Sequence, residues 1–290
     1  GGLNMPIKII TADERAAQPP KINILLFGPS GVGKTTQART LDPDSTLFID
    51  AEAGMLAVQD WRGDSIDVRQ QALGIGVHPW EFARALACVL GGPDPADASG
   101  PYSRAAYDQY VGAIGAQSDF AKYTTVFIDS ITVLSRLCFA WCKTQPEAFA
   151  QNGKPDTRGA YGLLGQEMIK FLTVCQHIPN KSIIIVGILE KIVDDLKRVS
   201  WEPQIEGGKT GREMAGIFDQ VITLQTFERE DGPPYRAFVA RQINPWGYPA
   251  KDRSGRLELI EEPDLGKLIN KIRTGSRLDS KLNHNTAQGG

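Results

Sequence analysis

The chain is 290 residues long and carries 32 Lys and Arg against 34 Asp and Glu, a formal net charge of −2. That balance excludes a uniformly basic nucleic-acid coat, and a hydrophobic content of 41% is enough for a globular core. The longest nearly pure apolar run, Ile183 to Leu189, is far shorter than the roughly 20 residues a membrane-spanning helix needs, so no membrane association is expected.

Gly1-Gly2-Leu3-Asn4 ahead of Met5 read as a vector-derived scar, and residues 1–20 as an N-terminal extension. From Lys21, Ile22-Asn23-Ile24-Leu25-Leu26-Phe27 is a short apolar run stopped by Gly28-Pro29, as in a buried parallel strand. The pattern predicts a helix from Gly33 to about Leu41, a turn over Asp42 to Ser45, and a second strand from Thr46 to Asp50. Helical patterns follow over His78 to Leu90 and Ser103 to Ile114, separated by a Gly, Pro and Asp-rich loop. Thr124 to Asp129 is a third strand that leads into an apolar helix from Ile131 to Cys142. After a polar loop, Tyr161, Leu164, Met168, Phe171, Leu172 and Cys175 share one helical face, and Ser182 to Leu189 is a fourth strand.

Strand and helix alternate, which predicts an α/β fold with a mainly parallel sheet flanked by helices. Beyond residue 218 the pattern changes: Gln220 to Thr226 and Tyr235 to Arg241 flank Glu-Asp-Gly-Pro-Pro and predict an antiparallel C-terminal hairpin edge. Leu265, Leu268, Ile269 and Ile272 line one face of a last helix starting at Pro263, and residues 275–290 read as a disordered tail. One domain over residues 21–274 is expected.

Cys88, Cys138, Cys142 and Cys175 are too few and scattered for a disulfide framework, and a reducing, cytoplasmic compartment is expected. Cys138 and Cys142, one helical turn apart, would need Cys175 and His177 to complete a zinc site. Their apolar surroundings favour buried thiols instead.

Gly28-Pro29-Ser30-Gly31-Val32-Gly33-Lys34-Thr35 matches G-x-x-x-x-G-K-[ST] at every fixed position, between an expected strand and an expected helix. The loop amides, continuing to Thr36, would cradle the phosphates of ATP. Lys34 would reach the β- and γ-phosphates, and Thr35 would ligate Mg²⁺. Asp129 closes the third strand and suits the Walker B position, supporting Mg²⁺ together with Thr35; the other use of an aspartate there is a helix N-cap. Glu52, in Phe48-Ile49-Asp50-Ala51-Glu52, is a candidate to activate the attacking water, and Asp50 and Glu52 read equally well as solvated loop acids.

Phe48 to Glu52 resembles the strand-end segment of RecA-like recombinases that carries their catalytic glutamate. Phe127-Ile128-Asp129-Ser130 resembles their Walker B strand with its trailing serine. Over residues 21–273 the layout resembles phage-encoded RecA-like ATPases of the single-strand-annealing group, the fourth Sak type, and Tyr248 to Arg253 is similar to their C-terminal signature. The resemblance implies a RecA-like P-loop NTPase core, ATP and Mg²⁺ as cofactors, and ATP-linked annealing or recombination of single-stranded DNA in a phage-infected host's cytoplasm. It implies Glu52 as the base, and a homo-oligomer in which Lys251 and Arg253 of one subunit complete a neighbour's ATP site; otherwise they form a solvated basic loop. A single-strand-binding protein is a further implied partner.

The family's DNA loops fall near residues 143–159 and 191–216, where the second balances five cations against five acids, so DNA binding rests on the resemblance. Trp201 would stack on a base or fold back onto apolar surface. Lys267, Lys271, Arg273, Arg277 and Lys281 form a modest basic stretch. Where RecA-like recombinases place a polar sensor, this chain has Ile188-Leu189-Glu190-Lys191, and Glu190 would have to serve. Alternative functions are a nucleotide or small-molecule kinase, for which no arginine-rich lid stands out, and an ATP-switched assembly module without turnover. A GTPase is disfavoured because Asn180-Lys181 and Asn270-Lys271 lack the aspartate of a guanine motif.

Overall fold

A computed structural model describes residues 7–278. The expected scar and Lys281 lie outside them, as does most of the expected tail. The strands are β1 (Asn23–Gly28), β2 (Thr46–Asp50), β3 (Asp64–Asp67), β4 (Thr125–Asp129), β5 (Ser182–Val193), β6 (Val199–Pro203), β7 (Gln220–Phe227), β8 (Tyr235–Val239), β9 (Lys251–Asp252) and β10 (Ile260–Glu261). The α-helices are α1 (Ala12–Ala17), α2 (Val68–Ile75), α3 (Pro79–Gly91), α4 (Arg104–Ile114), α5 (Ile131–Cys142), α6 (Thr157–His177), α7 (Gly208–Ile217) and α8 (Leu265–Thr274).

The sheet order is β3-β2-β4-β5-β1-β7-β8-β10, parallel from β3 through β7. β8 and β10 then pair antiparallel, as the hairpin-edge expectation required. One strand, β5, separates the phosphate-loop strand β1 from the acid-tipped strand β4. Beyond Ile188, β5 leaves this sheet and pairs antiparallel with β6, so a strand expected to end at Leu189 runs on to Val193.

The central strands are buried on both faces because alternate side chains serve two cores. Leu25, Phe27, Ile49, Val126, Ile128 and Ile185 face a core built from α3, α5 and α6. Ile24, Leu26, Phe48, Phe127, Ile184 and Ile222 face a second core closed by α8 through Leu265, Leu268, Ile269 and Ile272. α8 is also stapled to the segment after the phosphate loop: Leu265 N–H donates to Gln37 Oε1 and Gly266 N–H to Thr40 Oγ1, both at 2.9 Å.

Four of the expected helices begin at a capping side chain, whereas α1 and α2, capped by Thr11 and Asp67, were not expected. His78 caps α3, its own N–H donating in return to the Glu81 carboxylate, and Ser103, Ser130 and Asp264 cap α4, α5 and α8. Three expectations need correction. The helix predicted over 33–41 is a single 3₁₀ segment, Thr35–Thr40. Tyr161 is 44% exposed rather than on the buried face of α6: it lies at the surface, where its ring stacks on the half-buried Phe139 at 4.6 Å. The polar loop ends earlier than expected, at Asp156, which caps α6 through the Arg158 N–H.

All four cysteines are buried and free, and no cluster of three or more metal-ligating His, Cys, Asp or Glu side chains occurs among the described residues. No helix of the described residues is long and apolar enough to cross a membrane.

Gly187 sits in the central strand opposite Phe27, one residue before the phosphate loop. A Cβ there would lie 2.7 Å from the Phe27 ring and 3.0 Å from Ile131 Cγ2. Gly187→Ala is therefore expected to lower stability by about 1–3 kcal/mol through overpacking. An unchanged midpoint in urea unfolding would contradict this packing.

Candidate functional site

β1 delivers the chain to Gly28 with every residue of the strand buried. The loop then turns through Gly31 at φ +76° and Gly33 at φ +104°, conformations that favour glycine. Gly28 has no room for a side chain, since a Cβ would stand 2.6 Å from the Leu224 carbonyl oxygen of β7. Lys34 folds back into the loop, its Nζ donating to the carbonyl oxygens of Gly28 at 2.8 Å and Pro29 at 2.7 Å. Burial lowers the pKa of this ammonium, and Asp129 and Glu52 act in the opposite sense.

β2 and β4 are parallel and in register, so Asp50 lies beside Asp129 at the tips of adjacent strands. The Ala51 N–H donates to the Asp129 carbonyl at 2.7 Å and carries the pairing one residue further. Asp50 turns the chain after β2: its Oδ1 accepts the N–H of Glu52 at 3.0 Å and of Gly54 at 3.2 Å, with Ala53 at φ +62°. One oxygen of its buried carboxylate thus forms the turn after β2.

That turn projects Glu52 back toward β4, where its Oε1 accepts a short hydrogen bond from Ser130 Oγ. Ser130 also caps α5, so one hydroxyl ties the glutamate to the helix start. The peptide joining Asp129 to Ser130 is cis. Asp129 itself is 1% exposed, and its Oδ2 accepts from Thr35 Oγ1 at 2.5 Å. Burial pushes the Asp129 carboxyl up to about 6; the Thr35 hydrogen bond and Lys34 oppose that rise, while Glu52 and Asp50 reinforce it.

Lys34, Thr35, Asp129 and Glu52 thus converge from three strand tips. Pro29, Ser30, Val32 and Thr36 complete the loop, with Thr36 exposed. The set suits magnesium and a triphosphate. Thr35 and Asp129 already face one another through hard oxygen donors, and Mg²⁺ needs only one or two protein oxygens when phosphates supply others.

The other residues singled out in the sequence are placed as follows. Lys251 and Arg253 lie by the start of β7, at the opposite end of the strands from their own phosphate loop. There Lys251 Nζ donates to the Ala215 carbonyl and Arg253 pairs with Asp219, both at 2.5 Å. Trp201 folds back, its ring edge-on to Tyr248 at 5.1 Å. Glu190 stands opposite Glu202 in the β5–β6 ladder.

Sequence reasoning missed Arg236. It sits on β8 across from Thr226, and its Nη1 lies only 2.9 Å from where a Gly33 Cβ would be. The guanidinium therefore lies against the phosphate loop, with no ion-pair or hydrogen-bond partner among the described residues. Nothing in a lone arginine of an exposed hairpin signals contact with a loop two hundred positions earlier.

A glycine-shaped loop presenting lysine and threonine beside a buried strand-end aspartate defines a P-loop NTPase. A family model described as AAA domain matches residues 20–254, most of the chain, and the chain belongs to that family. No curated protein matches it. Among solved structures it is similar to a prototypical ATPase from the type III secretion system of pathogenic bacteria, at 18% identity and a TM-score of 0.38 over 70% of this chain and 52% of that one. The chain therefore spans about half the length of that protein. It is also similar to the flagellar accessory protein FlaH from Methanocaldococcus jannaschii, at 10% identity and a TM-score of 0.33 over 78% and 81% of the two chains. Neither likeness adds to what the strand order shows.

Because the native pKa of Asp129 lies above its ordinary 3.8, the folded protein holds a proton there that the unfolded chain releases between pH 3.8 and about 6. Ionising Asp129 therefore removes stability as pH rises through that window, on the order of 2–3 kcal/mol. Without nucleotide or metal, Asp129→Asn is expected to be more stable than the parent at pH 7, with the gap closing toward pH 4. A gap that stays constant in urea unfolding across that range would contradict the buried-acid reading.

Proposed function

We propose that the protein hydrolyses ATP with Mg²⁺ and couples that cycle to single-stranded DNA, as the phage annealing group it resembles would do. The convergence of Lys34, Thr35, Asp129 and Glu52 on one strand edge carries this reading. When bound, Mg²⁺ would neutralise charge on the β- and γ-phosphates. Thr35 and Asp129 would hold it, and Lys34 would exchange the carbonyls of Gly28 and Pro29 for phosphate oxygens. Glu52, anchored by Ser130, would orient the water and take its proton. Arg236, from the same chain, would place its positive charge against the negative charge on the transferring phosphoryl group.

The DNA reading draws support from the same edge of the sheet. The β5–β6 hairpin extends there, and Trp246 and Tyr235, each 36% exposed, flank Phe227 in an aromatic cluster on which bases could stack. Lys251 and Arg253, being remote from their own loop, would serve only across a subunit interface of a homo-oligomer. A single-strand-binding protein is a further partner under this reading.

Phosphate release with and without single-stranded DNA tests the proposal. Lys34→Ala is expected to abolish nucleotide binding, and Glu52→Gln to keep it while turnover falls about 10²–10⁴-fold. Arg236→Ala should lower kcat with a smaller effect on ATP affinity. DNA is expected to stimulate the parent. Full turnover by Glu52→Gln would remove the base, and indifference to DNA would remove the coupling.

A further inference from the structure

At the ends of the parallel strands remote from the phosphate loop, the molecule carries a cleft of about 610 Å³. Arg15 of α1, Lys21 ahead of β1, Arg253 and Arg256 after β9, and Arg273 and Arg277 at the end of α8 line it. The one carboxylate in the lining is Asp219. Six cations against one acid stand out in a chain whose net charge is −2.

Five of the six charges are positioned without being cancelled. Asp219 is taken by Arg253 at 2.5 Å. Lys21 donates to the Gln176 carbonyl, Arg256 to the carbonyls of Ile272 and Arg273, and Arg273 to Ser182 Oγ. Neutral oxygens thus fix three cations in place, while the guanidinium groups of Arg15 and Arg277 have no partner among the described residues. Burial drives the Lys21 pKa down to about 8, and Asp219 acts in the opposite sense. A concave wall of uncompensated cations concentrates anions, and arginine forks match phosphate oxygens. No aromatic side chain lines the cleft, so it offers phosphates a binding surface and bases no stacking platform.

We propose that this cleft is a second phosphate-binding site, taking a run of closely spaced phosphates from either a single-stranded nucleic-acid backbone or a free polyphosphate. It is separate from the nucleotide site. Gln220 in its wall pairs with Ile24 near the start of β1, four residues and roughly 13 Å along the strand from Gly28.

The test measures binding of inorganic tripolyphosphate and of a labelled dT20 oligonucleotide to the full chain, with its phosphate loop saturated by Mg·ADP. The comparison protein carries Arg15→Glu and Arg277→Glu, two exposed positions whose side chains hold nothing in place, and its ADP affinity reports that the fold is intact. Tripolyphosphate binding is expected to survive saturating ADP and to fall on the order of tenfold or more in the double variant, with ADP affinity unchanged. If the source is nucleic acid, dT20 displaces tripolyphosphate, and its salt slope falls by about 1.4 for the two lost contacts. If the source is a free polyphosphate, dT20 does not compete. Absence of tripolyphosphate binding, its complete displacement by ADP, or equal binding by the double variant would overturn the site. Failure to bind ADP would instead count against the nucleotide reading, leaving the effect of the double variant to decide the cleft.

Discussion

The site depends on one buried carboxylate. Asp129 is almost wholly out of water, its charged form penalised by burial and by two neighbouring acids, and held chiefly by the hydroxyl of Thr35. A carboxylate in that setting is poorly satisfied alone, and a divalent cation would supply the missing counter-charge. The same bond joins the phosphate loop to the acidic strand across β5, so the groups that would hold metal and phosphate are prearranged before either arrives.

That arrangement follows from the sheet. Parallel register places Asp50 beside Asp129, and the two cores on either face leave the strand tips little freedom to slide. Asp50 then forms the turn that returns Glu52 to Ser130. The two acids of the 50–52 segment therefore divide the work: Asp50 shapes the backbone, and Glu52 presents its carboxylate to the site. α8, nearly at the end of the described chain, braces the residues after Thr35 through Gln37 and Thr40. Changes at that distant helix should therefore be felt at the phosphate loop.

Much of this was legible because it is local. The phosphate loop is a contiguous motif, and apolar runs ending in acids mark β2 and β4 as central strands. Capped helices such as α3 and α5 declare their own starts. Other elements were missed: β3 is Asp-Ser-Ile-Asp on a polar edge, α7 begins Gly-Lys-Thr-Gly and buries only Thr210 and Met214, and α1, although it opens on a Thr11–Glu14 capping box, buries nothing and so shows no apolar face. Asp50 could not be separated from Glu52 because their roles depend on which backbone amides each meets. Arg236, and the cationic cleft built from both chain ends, arise only when distant segments fold together. A composition near charge balance hides a cleft of this kind.

The most direct measurement is a structure of the protein with Mg²⁺ and a non-hydrolysable ATP analogue. The account predicts that Lys34 Nζ leaves the carbonyls of Gly28 and Pro29 for the phosphates. It further predicts that Thr35 enters the metal's coordination shell and that Glu52 faces the γ-phosphate across a water. A nucleotide bound elsewhere, or Lys34 still seated on its own loop with Glu52 turned away, would contradict it.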